Sequence, residues 1–183
     1  MKERIKRQSE VSKAGSQTEE EVVNILNAEK DIRKHLLVER YPKLPKTLKK
    51  SIERDLSIYY PCGGFQQIDA DICIIDKKTL KLLSVISVKK SFRERGAQAV
   101  YWALKVKLEG KPFKYVLATP DVDNEIFDPQ NPTKKRKWRI ILPCEFEKVF
   151  IYSYGGKVFK EGNLYVGKDY LIDWAKSLLC QLE

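Results

Sequence analysis

The chain has 183 residues, 43% of them hydrophobic, which is enough for one domain with a real core and too few to expect two. Thirty-five Lys and Arg against 25 Asp and Glu leave a formal charge of +10, favouring a polyanionic partner such as nucleic acid or an anionic membrane surface. No apolar run reaches the ~18 residues of a membrane span, and the opening MKERIKRQSEVSK has no apolar stretch behind its charges, so neither membrane insertion nor a secretory signal is expected and a cytoplasmic setting is.

Residues 1–13 read as a basic N-terminal arm, with Lys2, Arg4, Lys6, Arg7 and Lys13 outnumbering Glu3 and Glu10. Residues 14–60 read as a helical region. Ser16 or Thr18 caps a first helix whose opening turn holds Glu19-Glu20-Glu21, where negative charge suits the helix dipole. Val22, Val23, Ile25 and Leu26 supply its buried stripe. A second helix is expected around Ile32 to Val38, carrying the single histidine, His35, as an ordinary half-buried residue. After Pro42 and Pro45, a third is expected from Lys46 to Ile58. Pro61-Cys62-Gly63-Gly64 forms a flexible turn.

Residues 67–119 hold the candidate chemistry. Two β-type runs, Asp71 to Ile75 and Leu82 to Val88, are joined by Asp76-Lys77-Lys78-Thr79, so they predict a hairpin. Asp69 and Asp71 enter the first strand, two residues apart and so on one side of an extended chain. Ser87 and Lys89 leave the second strand. A carboxylate beside a lysine is the minimum for holding a divalent metal on a phosphodiester and positioning an attacking water. After Arg95-Gly96, the spacing of Ala97, Val100, Tyr101, Leu104 and Leu108 predicts a helix with those residues inward. Phe113 to Ala118 then predicts a buried strand, making a strand, helix, strand crossover with parallel strands.

Residues 120–138 read as a long basic loop, in which Lys134, Lys135, Arg136 and Lys137 beside Trp138 are candidate phosphate contacts. Residues 139–183 hold late strands at Ile140 to Leu142 and Val149 to Tyr152, then a closing helix from Asp169 to Leu182. The four cysteines, Cys62, Cys73, Cys144 and Cys180, lie far apart with no CxxC pair and are expected as buried free thiols. The whole is a single domain over 1–183, an α/β fold in which helices flank a mixed sheet.

The order of a helical Glu, a strand-entering Asp and a Lys leaving the next strand resembles the PD-(D/E)xK nuclease superfamily. The segment Ile86-Ser87-Val88-Lys89-Lys90-Ser91-Phe92-Arg93-Glu94-Arg95 resembles more specifically the BsaWI, NgoMIV and EcoRII group of type II restriction endonucleases, whose motif reads approximately S-x-K-x-S-x-R-(D/E)-R. Ser87 stands where the wider superfamily has an acid, a departure that the group shares. The likeness is sharp over about residues 69 to 104. Gly15-x-x-x-Glu19 adds support, and elsewhere only the order of elements matches.

The resemblance implies a restriction-endonuclease-like fold and a Mg2+-dependent enzyme acting on double-stranded DNA as a homodimer, with a cognate methyltransferase in the same system. It implies Asp71 as the metal-binding carboxylate, with Asp69 as its rival, and Lys89 as the residue that orients water and offsets charge on the phosphate. The second ligand would come from Glu19 or, through its amide oxygen, Gln98, because the helix after Gly96 carries no acid. Ser87 can hold a water or phosphate oxygen. Lys90 and Ser91 fall within the DNA-contacting segment. Arginine forks bind guanine O6 and N7 and a glutamate accepts from cytosine N4, so Arg93-Glu94-Arg95 suits consecutive C·G pairs and a CCGG-containing or CC(N)GG-type palindrome. The alternatives are a structure-specific repair or recombination nuclease and a decayed scaffold that binds nucleic acid without cutting it.

Overall fold

A computed structural model describes the backbone over residues 2–92 and 95–181 and the side chains over 15–92 and 95–180. Helix α1 runs over Lys2–Asn27 and α2 over Lys30–His35; β1 follows at Leu36–Arg40 and α3 at Lys46–Ile52. A small hairpin of β2 (Ser57–Tyr60) and β3 (Gly64–Gln67) precedes β4 (Ile72–Asp76) and β5 (Leu82–Val88). Then come α4 (Gly96–Leu108), β6 (Lys114–Thr119), α5 (Lys137–Glu145), β7 (Val149–Ile151), β8 (Phe159–Glu161), β9 (Leu164–Val166) and α6 (Lys168–Ser177).

Seven strands form one sheet in the order β1-β4-β5-β6-β7-β9-β8. Pairing is antiparallel on both flanks and parallel from β5 through β6 and β7 to β9. The expected hairpin and the parallel crossover are both present. Both faces of the sheet are buried, which is why its central strands are mostly apolar and do not alternate with polar residues. Cys73, Ile75, Val85, Tyr115, Leu117, Val149 and Ile151 pack on the side of α3, α4 and α5. Ile72, Ile74, Ile86, Val88, Val116, Ala118 and Phe150 pack on the side of α1, α2 and α6. The expected α/β fold, a mixed sheet between helices, is therefore the observed one.

Several elements differ from the sequence reading. Leu36 to Val38 belong to β1 instead of prolonging the second helix, because they pair with Ile74 to Asp76 at the sheet edge. The third helix stops at Ile52, and Ser57 turns into β2. Ile140 to Leu142 lie in α5, not in a strand. Helix α1 is continuous from Lys2, so neither Ser16 nor Thr18 caps it; the side chains of the basic arm lie outside the described residues. The closing helix ends at Ser177, a 3-10 turn takes Leu179–Gln181, and Leu182 lies outside the described residues.

Helix α4 is where expected but turned. Gly96, Ala99, Ala103 and Val106 face inward, while Ala97, Tyr101, Leu104 and Leu108 are exposed. Small residues sit inside because a neighbouring ring comes close: a Cβ on Gly96 would lie 2.2 Å from the Trp138 indole. All four cysteines are free, but only Cys73 is buried, since Cys62, Cys144 and Cys180 lie in surface turns and helix ends. His35 is exposed at the end of α2. No helix among the described residues is long and apolar enough to cross a membrane.

Candidate active site

The antiparallel register of β4 and β5 pairs Ile72 with Ile86, so Asp71, one residue before β4, comes opposite Ser87 at the end of β5. Its Oδ2 accepts from the Val88 N–H at 2.6 Å, the Lys89 ammonium at 2.8 Å and the Ser87 hydroxyl at 3.4 Å. Asp69 Oδ2 lies 3.1 Å from the same ammonium. Both aspartates and the lysine of the sequence reading therefore converge. Asp71 is the more enclosed of the two, with its side chain 15% exposed against 30% for Asp69.

Lys89 is only 3% exposed. Burial alone would depress its pKa, but Asp71 and then Asp69 outweigh burial and hold it above the usual lysine value. It is therefore an ammonium at neutral pH, suited to donating hydrogen bonds and offsetting negative charge rather than taking a proton. Beneath it, the buried Tyr115 of β6 donates to the Asp69 carbonyl at 3.0 Å, and its pKa is raised by burial and by the charge of Asp69. Tyr115 thus fixes the backbone that carries Asp69.

Glu19, on α1, lies within electrostatic range of Asp71 and Lys89. Burial raises its pKa, the hydrogen bond from Arg40 opposes this, and the charge of Asp71 raises it further, so the three groups share one electrostatic neighbourhood. Arg40, at the end of β1, donates from Nε to Glu19 Oε2 at 2.7 Å and from Nη2 to the Ser16 hydroxyl at 2.9 Å. Gln98 is exposed on α4, and no described contact joins it to Asp71 or Lys89.

Arg93 and Glu94 lie outside the described residues. Arg95 is exposed where α4 begins, Lys90 is exposed and Ser91 half-buried. The flanks of this segment are anchored by residues that the sequence reading passed over. Phe92 is fully buried, and its N–H donates to Asp123 Oδ2 at 3.0 Å. Asp121, left-handed at φ 50°, gathers the N–H groups of Glu125, Ile126 and Phe127 around its carboxylate. Burial pushes Asp121 up to about 6, against the opposing pull of those N–H groups. In the basic loop, Lys134 is exposed and Lys135 lies 3.4 Å from Glu161. Arg136 pairs with Asp128 at 3.4 Å, and Lys137 sits over the Trp138 ring. The loop's basic residues thus differ in freedom: Lys134 faces solvent while Arg136 is engaged with the protein's own acids.

The oxygen donors of Asp69, Asp71 and Glu19 are of the kind hard divalent cations prefer, and all three are partly accessible. They fit such an ion chemically. Among the described residues, however, no three His, Cys, Asp or Glu side chains form a cluster that could hold a metal. Two of these carboxylates are drawn onto Lys89 and the third onto Arg40.

The fold is that of restriction endonucleases. It aligns with the BsaWI–DNA complex at a TM-score of 0.54 and 10% identity, over 97% of this chain and 66% of that one. It aligns with the AgeI–DNA complex at 0.57 and 17% identity, over 91% and 69%. At those identities the likeness concerns the fold alone. Residues 46–162 match the model of the BsaWI restriction endonuclease type 2 family, and the chain belongs to that family. It is 38% identical over 112 residues to MjaVIP of Methanocaldococcus jannaschii, named as a type II restriction enzyme, covering 58% of this chain and 48% of that protein. It is 44% identical over 55 residues to HpyAORF263P of Helicobacter pylori, likewise named, covering 28% of each. The chain thus spans at most about half the length of these curated relatives.

Proposed function

We propose that this chain is a Mg2+-dependent type II restriction endonuclease that hydrolyses both strands of duplex DNA at a short palindrome, CCGG-containing or of CC(N)GG type. The observation that carries the proposal is the meeting of Asp71, Asp69 and Lys89 where β4 begins and β5 ends, with Glu19 electrostatically linked to them. Membership of the BsaWI family supports it independently.

Lys89 carries a fixed positive charge with which to offset charge accumulating on the attacked phosphate. The Ser87 hydroxyl shares its face and can hold a water or phosphate oxygen. Asp71, Asp69 and Glu19 would hold the divalent cation, which when bound supplies Lewis-acid stabilisation of the phosphate oxygens. Arg93, Glu94 and Arg95 would read consecutive C·G pairs from the major groove; Lys90, Ser91 and the 134–137 basic run would contact phosphates. A palindrome presents two equivalent half-sites, which a two-fold symmetric homodimer matches with one active site per strand. A cognate methyltransferase would protect the host's own copies of the site.

Digestion of plasmid DNA with Mg2+ tests the proposal. Discrete fragments with common ends are expected, and are lost with Lys89→Ala. A smear or cuts confined to branched DNA would instead indicate a repair nuclease, and tight binding without cleavage a decayed scaffold.

A further inference from the structure

Trp138 enters none of the roles assigned above, yet its one indole flanks both ends of the Arg93-Glu94-Arg95 segment. On one side its ring centroid lies 6.4 Å from that of Phe92, at an interplanar angle of 49°, and Phe92 is fully buried. On the other side a Cβ built on Gly96 would stand 2.2 Å from Trp138 Cζ2 and 2.4 Å from Cε2, so the ring packs directly on the Gly96 backbone. Only three residues separate Phe92 from Gly96 in the chain, and they are the three proposed to read bases. A second support meets the same place. The Phe92 N–H donates to Asp123 Oδ2 at 3.0 Å, and the 121–128 loop that carries Asp123 is tied to the approach to Trp138, because Arg136 stands 3.4 Å from Asp128 and 3.8 Å from Glu125. Trp138 is 8% exposed in the first turn of α5, so the basic run 134–137 leads straight into it.

We propose that Trp138 is a positioning residue for sequence discrimination: its indole fixes the spacing between Phe92 and Gly96, and through it the reach of Arg93 and Arg95 toward the bases. The inference rests on the endonuclease reading and adds to it a residue that sets fidelity from inside the protein. A bidentate arginine–guanine contact tolerates little error, because both donors of the fork must meet O6 and N7 at once. Side chains that make such contacts have to be held to within about 0.5 Å by the packing around them. Two rings and a glycine suit that task. Aromatic side chains have few rotamers, and the absent Cβ lets α4 begin at contact distance from the indole. A phosphate engaged by the 134–137 run would position α5, and the indole in its first turn carries that position to the reading segment. Backbone docking and base readout are thereby set in one register.

Sequencing the ends of plasmid DNA cut by the full chain with Mg2+ tests this, because it reads site choice apart from total cutting. Trp138→Phe keeps an aromatic ring but draws it back from Gly96. It is expected to raise the share of ends at sites one C·G pair away from the wild-type palindrome roughly tenfold, within the range that one bidentate base contact supplies. Phe92→Leu, which withdraws the ring on the other side of the indole, is expected to relax the same positions, and it decides alone should circular dichroism show Trp138→Phe unfolded. Leu171→Ala, fully buried on α6 across the sheet, is the control for stability: it is expected to cut less as the fold loosens, but at unchanged sites. Site choice as strict in the folded variant as in the wild type, or relaxed equally by Leu171→Ala, overturns the role of Trp138 alone. Scattered ends or no cutting by the wild type overturns the endonuclease reading together with it.

Discussion

The Lys89 ammonium and the Asp71 carboxylate meet at 2.8 Å in a position that leaves the lysine 3% exposed. Removing either partner strands a charge in a poorly solvated place. Lys89→Ala and Asp71→Asn are each expected to lose about 2–4 kcal/mol of stability, softened by Asp69, which can still partner the lysine in the second variant. Cleavage is expected to fall by at least ~10²-fold in both, with duplex affinity retained. Denaturant unfolding, cleavage rates and gel-shift titration measure these three quantities.

The contact of Gly96 with Trp138 links the start of α4 to α5. Because an added Cβ would lie 2.2 Å from a rigid indole, Gly96→Ala must displace one of the two helices. An overpacking loss of about 1–3 kcal/mol is expected. Shrinking the ring should restore much of it, so the double variant with Trp138→Leu should be more stable than the sum of the two single changes implies. Additive losses in a thermal-unfolding cycle would contradict the packing argument.

Asp123 ties the 121–128 loop to Phe92, one residue before Arg93. Asp123→Ala removes an acceptor from a backbone N–H whose residue is buried, an expected loss of about 1–3 kcal/mol. The effect on DNA should be selective: part of the ~1–3 kcal/mol of discrimination per base pair is lost while non-specific binding is unchanged. Competition between a cognate duplex and single-base variants reads this out.

Asp121, raised to about 6, gives the fold a pH dependence opposite to that of an ordinary paired carboxylate. Between the usual aspartate value and about 6 the folded chain holds a proton that the unfolded chain releases, so this residue's contribution to stability falls as pH rises through that window. Above about 6 both states are ionised and its burial penalty is fully expressed. Asp76, whose pKa is lowered by the Thr79 hydroxyl and the Lys78 N–H, acts in the other direction, its contribution being lost on acidification. Subtracting the Asp121→Asn variant isolates the effect: relative to the variant, the wild type should lose stability as pH rises from about 4 to about 6 and change little above that. A flat difference in unfolding free energy would contradict it.

The sequence was most legible where several signals agree. Asp69, Asp71, Ser87 and Lys89 are legible because polar residues cluster at the ends of two largely apolar strands, and the hairpin turn between the strands fixes that those ends meet. Short elements were the least legible. Leu36 to Val38 and Ile140 to Leu142 are apolar triplets too brief to show a period, so a strand and a helix were exchanged. On α4 the large apolar residues marked the wrong face, because close helix packing against Trp138 selects small residues inside. Arg40, Tyr115 and Asp123 carry no local motif. Each matters only through a partner 21, 46 or 31 residues away, and pairings of that kind are set by sheet order rather than by neighbouring sequence.

The most direct test of site-specific cleavage is sequencing of the DNA ends left after Mg2+ digestion of a plasmid of known sequence. Every end is expected to fall at a fixed position within one short palindrome containing C·G pairs, on both strands. Ends scattered without a common sequence, or an intact plasmid with the Lys89 enzyme at saturating Mg2+, would contradict the account.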